Sequence, residues 1–261
     1  MITEKLNLND KKVNPFILLL IYLRKLMYVM IGVYKGIFFT MLIHIRGTKN
    51  KFSVVIPTIY KSEYLHKLIA ALNESDAVLE ILLIDNANKN GSDLKQYEKV
   101  KVLNQLKNIY VNPAWNLGVA TAVSDYLLIC NDDIFFDTRI LKKMLIALDQ
   151  QVGIIGINDT PSIFNFLRIK LEKVRLEKFG TMMFIHKQNY HPIPDELLIW
   201  CGDDYLFNSV NAMNFSISGF KYETKMSTSS GLDFFDKVKL NDRKVYNEKY
   251  RNNFKAYYLR G

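Results

Sequence analysis

The chain holds only two cysteines in 261 residues, Cys130 and Cys201, too few for a disulfide framework. Both sit in apolar, strand-like settings, which reads as buried free thiols in a reducing compartment. Glycine-rich phosphate loops are missing too. Neither GxGxxG nor GxxxxGK[ST] occurs, so dinucleotide and P-loop readings lack their phosphate-cradling glycines. There is no low-complexity tract, and apolar residues make up 49% of the chain, which excludes a disordered protein. The polar start, MITEKLNLNDKK, has no small-residue cleavage site after the apolar run behind it, so no cleaved signal peptide is expected. The length suffices for a full core, as one large domain or a domain with appendages.

The net charge of +9 is unevenly spread: residues 1–51 carry +7, residues 237–261 carry +6 and the middle carries −4. Basic ends around an acidic centre fit attachment to an anionic membrane surface, with an anion-and-metal site kept apart from it. Nucleic-acid binding ranks lower, because no reading motif appears and the basic N-terminus is strongly apolar. Residues 15–45 are long enough to cross a bilayer, which takes ~20 apolar residues, but Arg24, Lys25 and Lys35 interrupt them. At helical spacing Arg24, Lys25, Tyr28, Lys35 and Arg46 share one stripe, and charges inside a spanning helix are expensive. The expectation is one or two helices in the membrane interface, basic stripe toward headgroups and apolar face toward acyl chains. Packing on the protein's own core or on a second subunit is the alternative. Gly32 and Gly36 form a GxxxG spacing of the kind that brings two helices together.

From residue 52 the pattern alternates. Ser53–Thr58 is a β-branched run ending at Pro57-Thr58, Glu63–Asn73 has helical apolar spacing, and Leu79–Ile84 is a buried strand ending at Asp85-Asn86. Lys95–Asn104 reads as helical, Ile109–Val111 as a short strand, and Asn116–Val123 as a helix. Tyr126–Cys130 is a strand cut off by Asn131-Asp132-Asp133. This alternation predicts an α/β domain with a mostly parallel sheet. Its strand ends put Thr58, Asp85 and Asp132-Asp133 on one edge, where ligands bind. Adjacent carboxylates at a buried strand end need a cation or donors. Hard oxygen ligands suit Mg²⁺ or Mn²⁺, and a divalent ion there would in turn hold a diphosphate.

VVIPT, ILLIDNANKNGSD, NPAWNLGVATA and LLICNDDIFF, in this order and spacing, resemble the nucleotide-sugar half of the GT-A glycosyltransferases, family 2 in particular. The resemblance covers residues 52–137. It implies that Pro57 and Thr58 line the nucleotide pocket, that Asp85 contacts the base or ribose, and that Asn116 and Gly118 lie beside the sugar-nucleotide. Asn131-Asp132-Asp133 takes the place of the DXD motif, with Asp133 as metal ligand and Asp132 on the ribose or in the metal shell. Further on, WCGDD is similar to the W-G-G-E-D stretch of inverting members. That likeness makes Asp204 the general base, Asp203 an acceptor contact, and Trp200 a face for acceptor sugar or a core residue. Where the family commonly places a further His, residues 220–231 have none, and Lys225, Ser227 and Thr228 stand near that place.

Beyond residue 137 the pattern gives an amphipathic helix at Arg139–Gln150, strands at Val152–Ile157 and Met182–Ile185, and no clear strand within 158–180. The expected organisation is a membrane-associating segment (1–51), a GT-A catalytic domain (52–236, divided at 137/138) and a basic tail (237–261). The expected activity is metal-dependent, inverting transfer from a nucleotide-sugar, UDP being the family's commonest nucleotide, to a glycan or lipid-linked acceptor at the cytoplasmic membrane face. A nucleotidyltransferase on a related sheet, which lacks its glycine loop here, and a non-catalytic membrane scaffold are the alternatives.

Overall fold

The computed structural model describes residues 15–91, 93–158, 166–225 and 235–251. In chain order the elements are α1 (Pro15–Ile45), β1 (Phe52–Thr58), α2 (Leu65–Glu74), β2 (Val78–Asp85), β3 (Val100–Asn104), α3 (Val111–Thr121) and β4 (Tyr126–Cys130). There follow β5 (Ile134–Phe136), α4 (Ile140–Leu148), β6 (Ile154–Ile157), β7 (Arg168–Glu172), β8 (Met182–His186), α5 (Gly202–Ser209), β9 (Asn214–Ser218), β10 (Tyr222–Thr224) and α6 (Asp236–Val245). Ser227, Thr228 and the tail beyond residue 251 lie outside the described residues.

Eight strands form one sheet in the order β3-β2-β1-β4-β8-β6-β9-β7, and β5 and β10 form a separate antiparallel ribbon. The four strands of the first half run parallel. β8 then reverses direction beside β4, so the sheet is mixed from there on. β1 is buried along its whole length because it is central. Its alternation still matters: Val54 and Ile56 join the core layer that includes α2 and α4, while Val55 joins the layer that includes α3. Each such side chain withdrawn from water is worth roughly 1.5–3 kcal/mol. Gly118 brings α3 onto β1, since a Cβ there would stand 2.2 Å from Val55 Cγ1.

Three sequence expectations change. Lys95–Asn104 is not a helix: its second half is β3, an edge strand whose half-exposed, polar pattern comes from having one neighbour, β2. Ile109–Val111 is not a strand, because its residues lead into α3 after Tyr110 at φ 68°. Residues 168–172, without a clear strand signal, form β7 at the other edge.

α1 is one helix and not a detached segment. Gly32 and Gly36 bring it onto β7 rather than onto another helix: a Cβ on Gly32 would meet Leu171 Cδ2 at 2.1 Å, and one on Gly36 would meet the Ile169 carbonyl at 2.9 Å. Thr40 Oγ1 accepts the Ile169 N–H at 3.0 Å, and Phe39 packs edge-on to Phe215 of β9. This seat splits the expected basic stripe: Arg24 and Arg46 stay exposed. Lys25, Tyr28 and Lys35 are half-buried on the side of the small residues, which alone allow close approach to β7. The exposed side carries Leu23, Met27, Met30, Tyr34, Ile37 and Met41, spaced by three and four as a continuous apolar stripe.

Candidate active site

The carboxyl ends of β1 and β4, the N-terminus of α3, the loop after β7 and the start of α5 enclose one cavity of about 490 Å³. Pro57, Thr58, Asp132, Asp133, Asp203 and Asp204 all line it, as does Trp200. Asp132 and Asp133 are both buried, about 5% and 4% exposed. Thr58 Oγ1 donates to Asp132 Oδ2 at 2.6 Å, and the Tyr60 N–H in turn donates to Thr58 Oγ1. Burial pushes the Asp132 carboxyl up to about 7; the Thr58 bond pulls it down and the Asp133 charge pushes it up again.

The second pair sits at the N-terminus of α5. Cys201, just before it, has φ 62°, a left-handed conformation rare for a residue with a side chain. Gly202 follows because a Cβ there would lie 2.1 Å from Asn112 Oδ1. Asn112 Nδ2 donates to the carbonyls of Leu197 and Trp200, tying this loop to α3. Arg175, from the loop after β7, spans both carboxylates: Nε meets Asp204 Oδ1 at 2.7 Å and Nη1 meets Asp203 Oδ2 at 3.1 Å. Burial disfavours its charge, but the two carboxylates outweigh this and raise the guanidinium pKa. Burial pushes the Asp203 carboxyl up to about 6, with Arg175 pulling it down and Asp204 pushing it up.

Three expected donor-side residues are not on the wall. Asp85 is fully buried at the end of β2, and its oxygens accept the N–H groups of Ala87 and Asn90, so it braces its own loop. Its neighbour Asn86 lines the cavity instead. Asn116 is spent on the 190–193 segment: Oδ1 accepts from Tyr190 Oη and the Ile193 N–H, and Nδ2 donates to the Ile193 carbonyl. Gly118 is a packing glycine. Lys225 pairs with Glu63 at 2.6 Å and donates its backbone N–H to the Asp133 carbonyl at 3.2 Å.

Arg175, Trp115 and Arg243 line the cavity and carry no sequence signal of their own. Arg175 falls in a stretch without periodicity, and Arg243 is one of many basic residues near the C-terminus. That basic stretch is structured through residue 251: α6 lays Asp242, fully buried, beneath the WCGDD loop, where Oδ2 accepts the N–H groups of Ile199 (2.7 Å) and Trp200 (2.9 Å). Tyr246, just past α6, accepts a hydrogen bond from Asn208 Nδ2 of α5 at 3.1 Å.

Among the described residues no cluster of three His, Cys, Asp or Glu side chains is arranged to hold a metal ion. The Asp132-Asp133 pair still fits a hard divalent ion, since its donors are carboxylate oxygens and burial leaves Asp132 reluctant to ionise without a cation. Such an ion would draw its remaining ligands from a diphosphate and water.

The glycosyl transferase family 2 model matches residues 53–203. Among solved structures, S. aureus TarS 1-349 is similar at 13% identity and TM-score 0.51, over 78% of this chain and 73% of that one. The mannosyltransferase PcManGT from Pyrobaculum calidifontis, in complex with GDP-Man and Mn²⁺, is similar at 11% identity and TM-score 0.50, over 76% of this chain and 64% of that one. GalNAc-T7 with UDP, GalNAc and Mn²⁺ is similar at 14% identity and TM-score 0.53, but this chain spans only 43% of its length. At these identities the likeness is one of fold. No curated protein matches significantly.

Proposed function

Since the chain belongs to glycosyl transferase family 2, with residues 53–203 matching that family, we propose that it is a metal-dependent, inverting enzyme. It transfers a sugar from a nucleotide-diphosphate sugar to a hydroxyl of a membrane-borne acceptor. The observation that carries this reading is the meeting, in one cavity, of a buried carboxylate pair braced by the Thr58 hydroxyl and a second pair spanned by Arg175.

The first pair, with Asp133 as ligand and Asp132 braced by Thr58, would hold Mn²⁺ or Mg²⁺ together with the donor diphosphate; the ion when bound supplies charge to offset the leaving group. Pro57 and Thr58 line the donor side, and solved structures of the same fold contain UDP, UDP-GlcNAc or GDP-Man. Asp204 is the general base. Arg175 takes its Oδ1, and its Oδ2 accepts no hydrogen bond among the described residues, so it is open to an acceptor hydroxyl. Oδ2 takes the proton as the hydroxyl oxygen bonds to the anomeric carbon. The bond from that carbon to the diphosphate oxygen breaks on the opposite face, which inverts the configuration. Asp203, bonded through Oδ1 to the Asp204 N–H, fixes the start of α5 and neighbours the acceptor.

The same proposal sets the protein at the cytoplasmic membrane surface through α1, whose exposed apolar stripe would enter the acyl boundary. α1 is also long and apolar enough to cross a membrane by length and composition. Its seat on β7 favours lying along the surface.

The test combines purified protein with UDP- and GDP-sugars, Mn²⁺ and a lipid-linked glycan, and measures nucleoside diphosphate release and the anomeric configuration of the product. Inverted product in the presence of metal is expected. Retained configuration, or turnover unaffected by chelator, would refute the mechanism.

A further inference from the structure

Arg243 differs from the other arginine of the cavity. Arg175 is committed to Asp203, Asp204 and the carbonyls of Leu176 and Glu177. Arg243 makes no ion pair or hydrogen bond among the described residues, and its guanidinium lies 5.0 Å over the Trp200 ring. The preceding residue, Asp242, sets this position by binding the backbone of Ile199 and Trp200. A guanidinium over an indole face spends none of its N–H donors on the ring, and its planar fork matches two oxygens of one oxyanion.

We propose that Arg243, seated on Trp200, forms an oxyanion subsite on the acceptor side of the cavity, taking a phosphate or carboxylate group that the acceptor carries. The inference rests on the reading of this cavity as a glycosyltransferase site and adds a substrate class to it: the acceptor is anionic near the hydroxyl that reacts. The subsite belongs to the acceptor side because Trp200 lies four residues before Asp204, in the loop that leads into α5, and the attacking hydroxyl must reach Asp204 within hydrogen-bond distance. Charge points the same way. Five carboxylates line the cavity against two arginines, one of them fully engaged. An anionic acceptor entering this field is repelled unless a cation meets it, and Arg243 is the cation at that position. A donor diphosphate would take its counter-charge from a metal held at Asp133.

The experiment titrates inorganic phosphate, sn-glycerol 3-phosphate and uncharged glycerol into the full chain, with the donor side first filled by UDP and Mg²⁺, or GDP and Mg²⁺. The readout is the Trp200 indole N–H signal by NMR, assigned through W200F. Both phosphates should move the Trp200 signal saturably while the nucleotide stays bound, and glycerol should not. R243Q should weaken phosphate binding about tenfold or more, the equivalent of ~1.4 kcal/mol, with R243K intermediate and nucleotide affinity unchanged in both. The proposal is overturned if phosphate fails to bind, if R243Q binds it as the parent does, if phosphate and nucleotide exclude one another, or if R243Q loses nucleotide affinity. The last two outcomes would assign Arg243 to the donor diphosphate. Failure of the parent to bind any nucleotide would fall on the donor reading, and the phosphate titration without nucleotide then decides the subsite by the same R243Q comparison.

Discussion

Asp132-Asp133 and Asp203-Asp204 are the same dipeptide facing the same cavity, set in opposite electrostatic surroundings. The first pair ends a buried parallel strand and gets a hydroxyl, Thr58, against Asp132. The second opens a helix, where the N-terminal dipole favours negative charge, and gets a guanidinium across both members. In the proposed mechanism the first pair, buried and braced by a hydroxyl, would offer its carboxylate oxygens to a metal. The second pair, spanned by an arginine, would have one member brace the helix start and the other take the acceptor proton. The sequence motif therefore does not decide the role; what the fold brings opposite it does.

The comparison can be broken from either side. Asp204→Asn should lower turnover by about 10²–10⁴-fold, the usual worth of a general base, while leaving metal-dependent nucleotide affinity intact by calorimetry. Near-normal turnover would remove Asp204 from its role. Asp133→Ala should do the opposite, abolishing the gain in UDP affinity that Mn²⁺ gives, with a loss of several kcal/mol in transition-state stabilisation. Unchanged Mn²⁺-dependent affinity would count against a metal at the first pair.

Arg175→Gln makes the second pair resemble the first. Loss of its charged hydrogen bonds should cost ~1–3 kcal/mol of stability. It should also lower turnover, since the Asp204 carboxylate loses the guanidinium that fixes its orientation; unchanged turnover would show that Arg175 does not position Asp204. The smallest effect is expected from Asp203→Asn. The Asp203 carboxyl is raised in the folded state to about 6, so its contribution to stability is complete below its unfolded pKa of about 4. That contribution fades as pH rises through about 6. The variant should lose this fading, giving a flatter dependence of Tm on pH between those limits.

Both aspartate pairs were legible in the sequence, because each ends an apolar run and two neighbouring carboxylates in such a place require a partner. The parallel half of the sheet was legible for the same kind of reason: fully buried strands leave uninterrupted aliphatic runs. What stayed hidden were the partners. Arg175 sits in a loop, where no periodicity marks it, and reaches Asp204 across 29 positions of sequence. β3 and β7 are the sheet's two edges, so their polar residues blurred the strand pattern and let Lys95–Asn104 pass for a helix. Asp85 and Asn116 stood at persuasive positions, but backbone groups nearby claimed their side chains.

The bond from Ile169 N–H to Thr40 bears on how this protein is best handled. Among the described residues β7 has a neighbour strand on one side, and on the other side α1 meets its hydrogen-bonding margin at Thr40. Cutting the chain before residue 46 to obtain a more tractable enzyme would uncover that margin, a ready template on which a strand from another molecule can grow. The shortened protein would exchange a surface suited to lipid for one suited to its own kind. Substituting polar residues at Met30, Tyr34 and Met41, all exposed, would remove the greasy stripe and leave the margin covered.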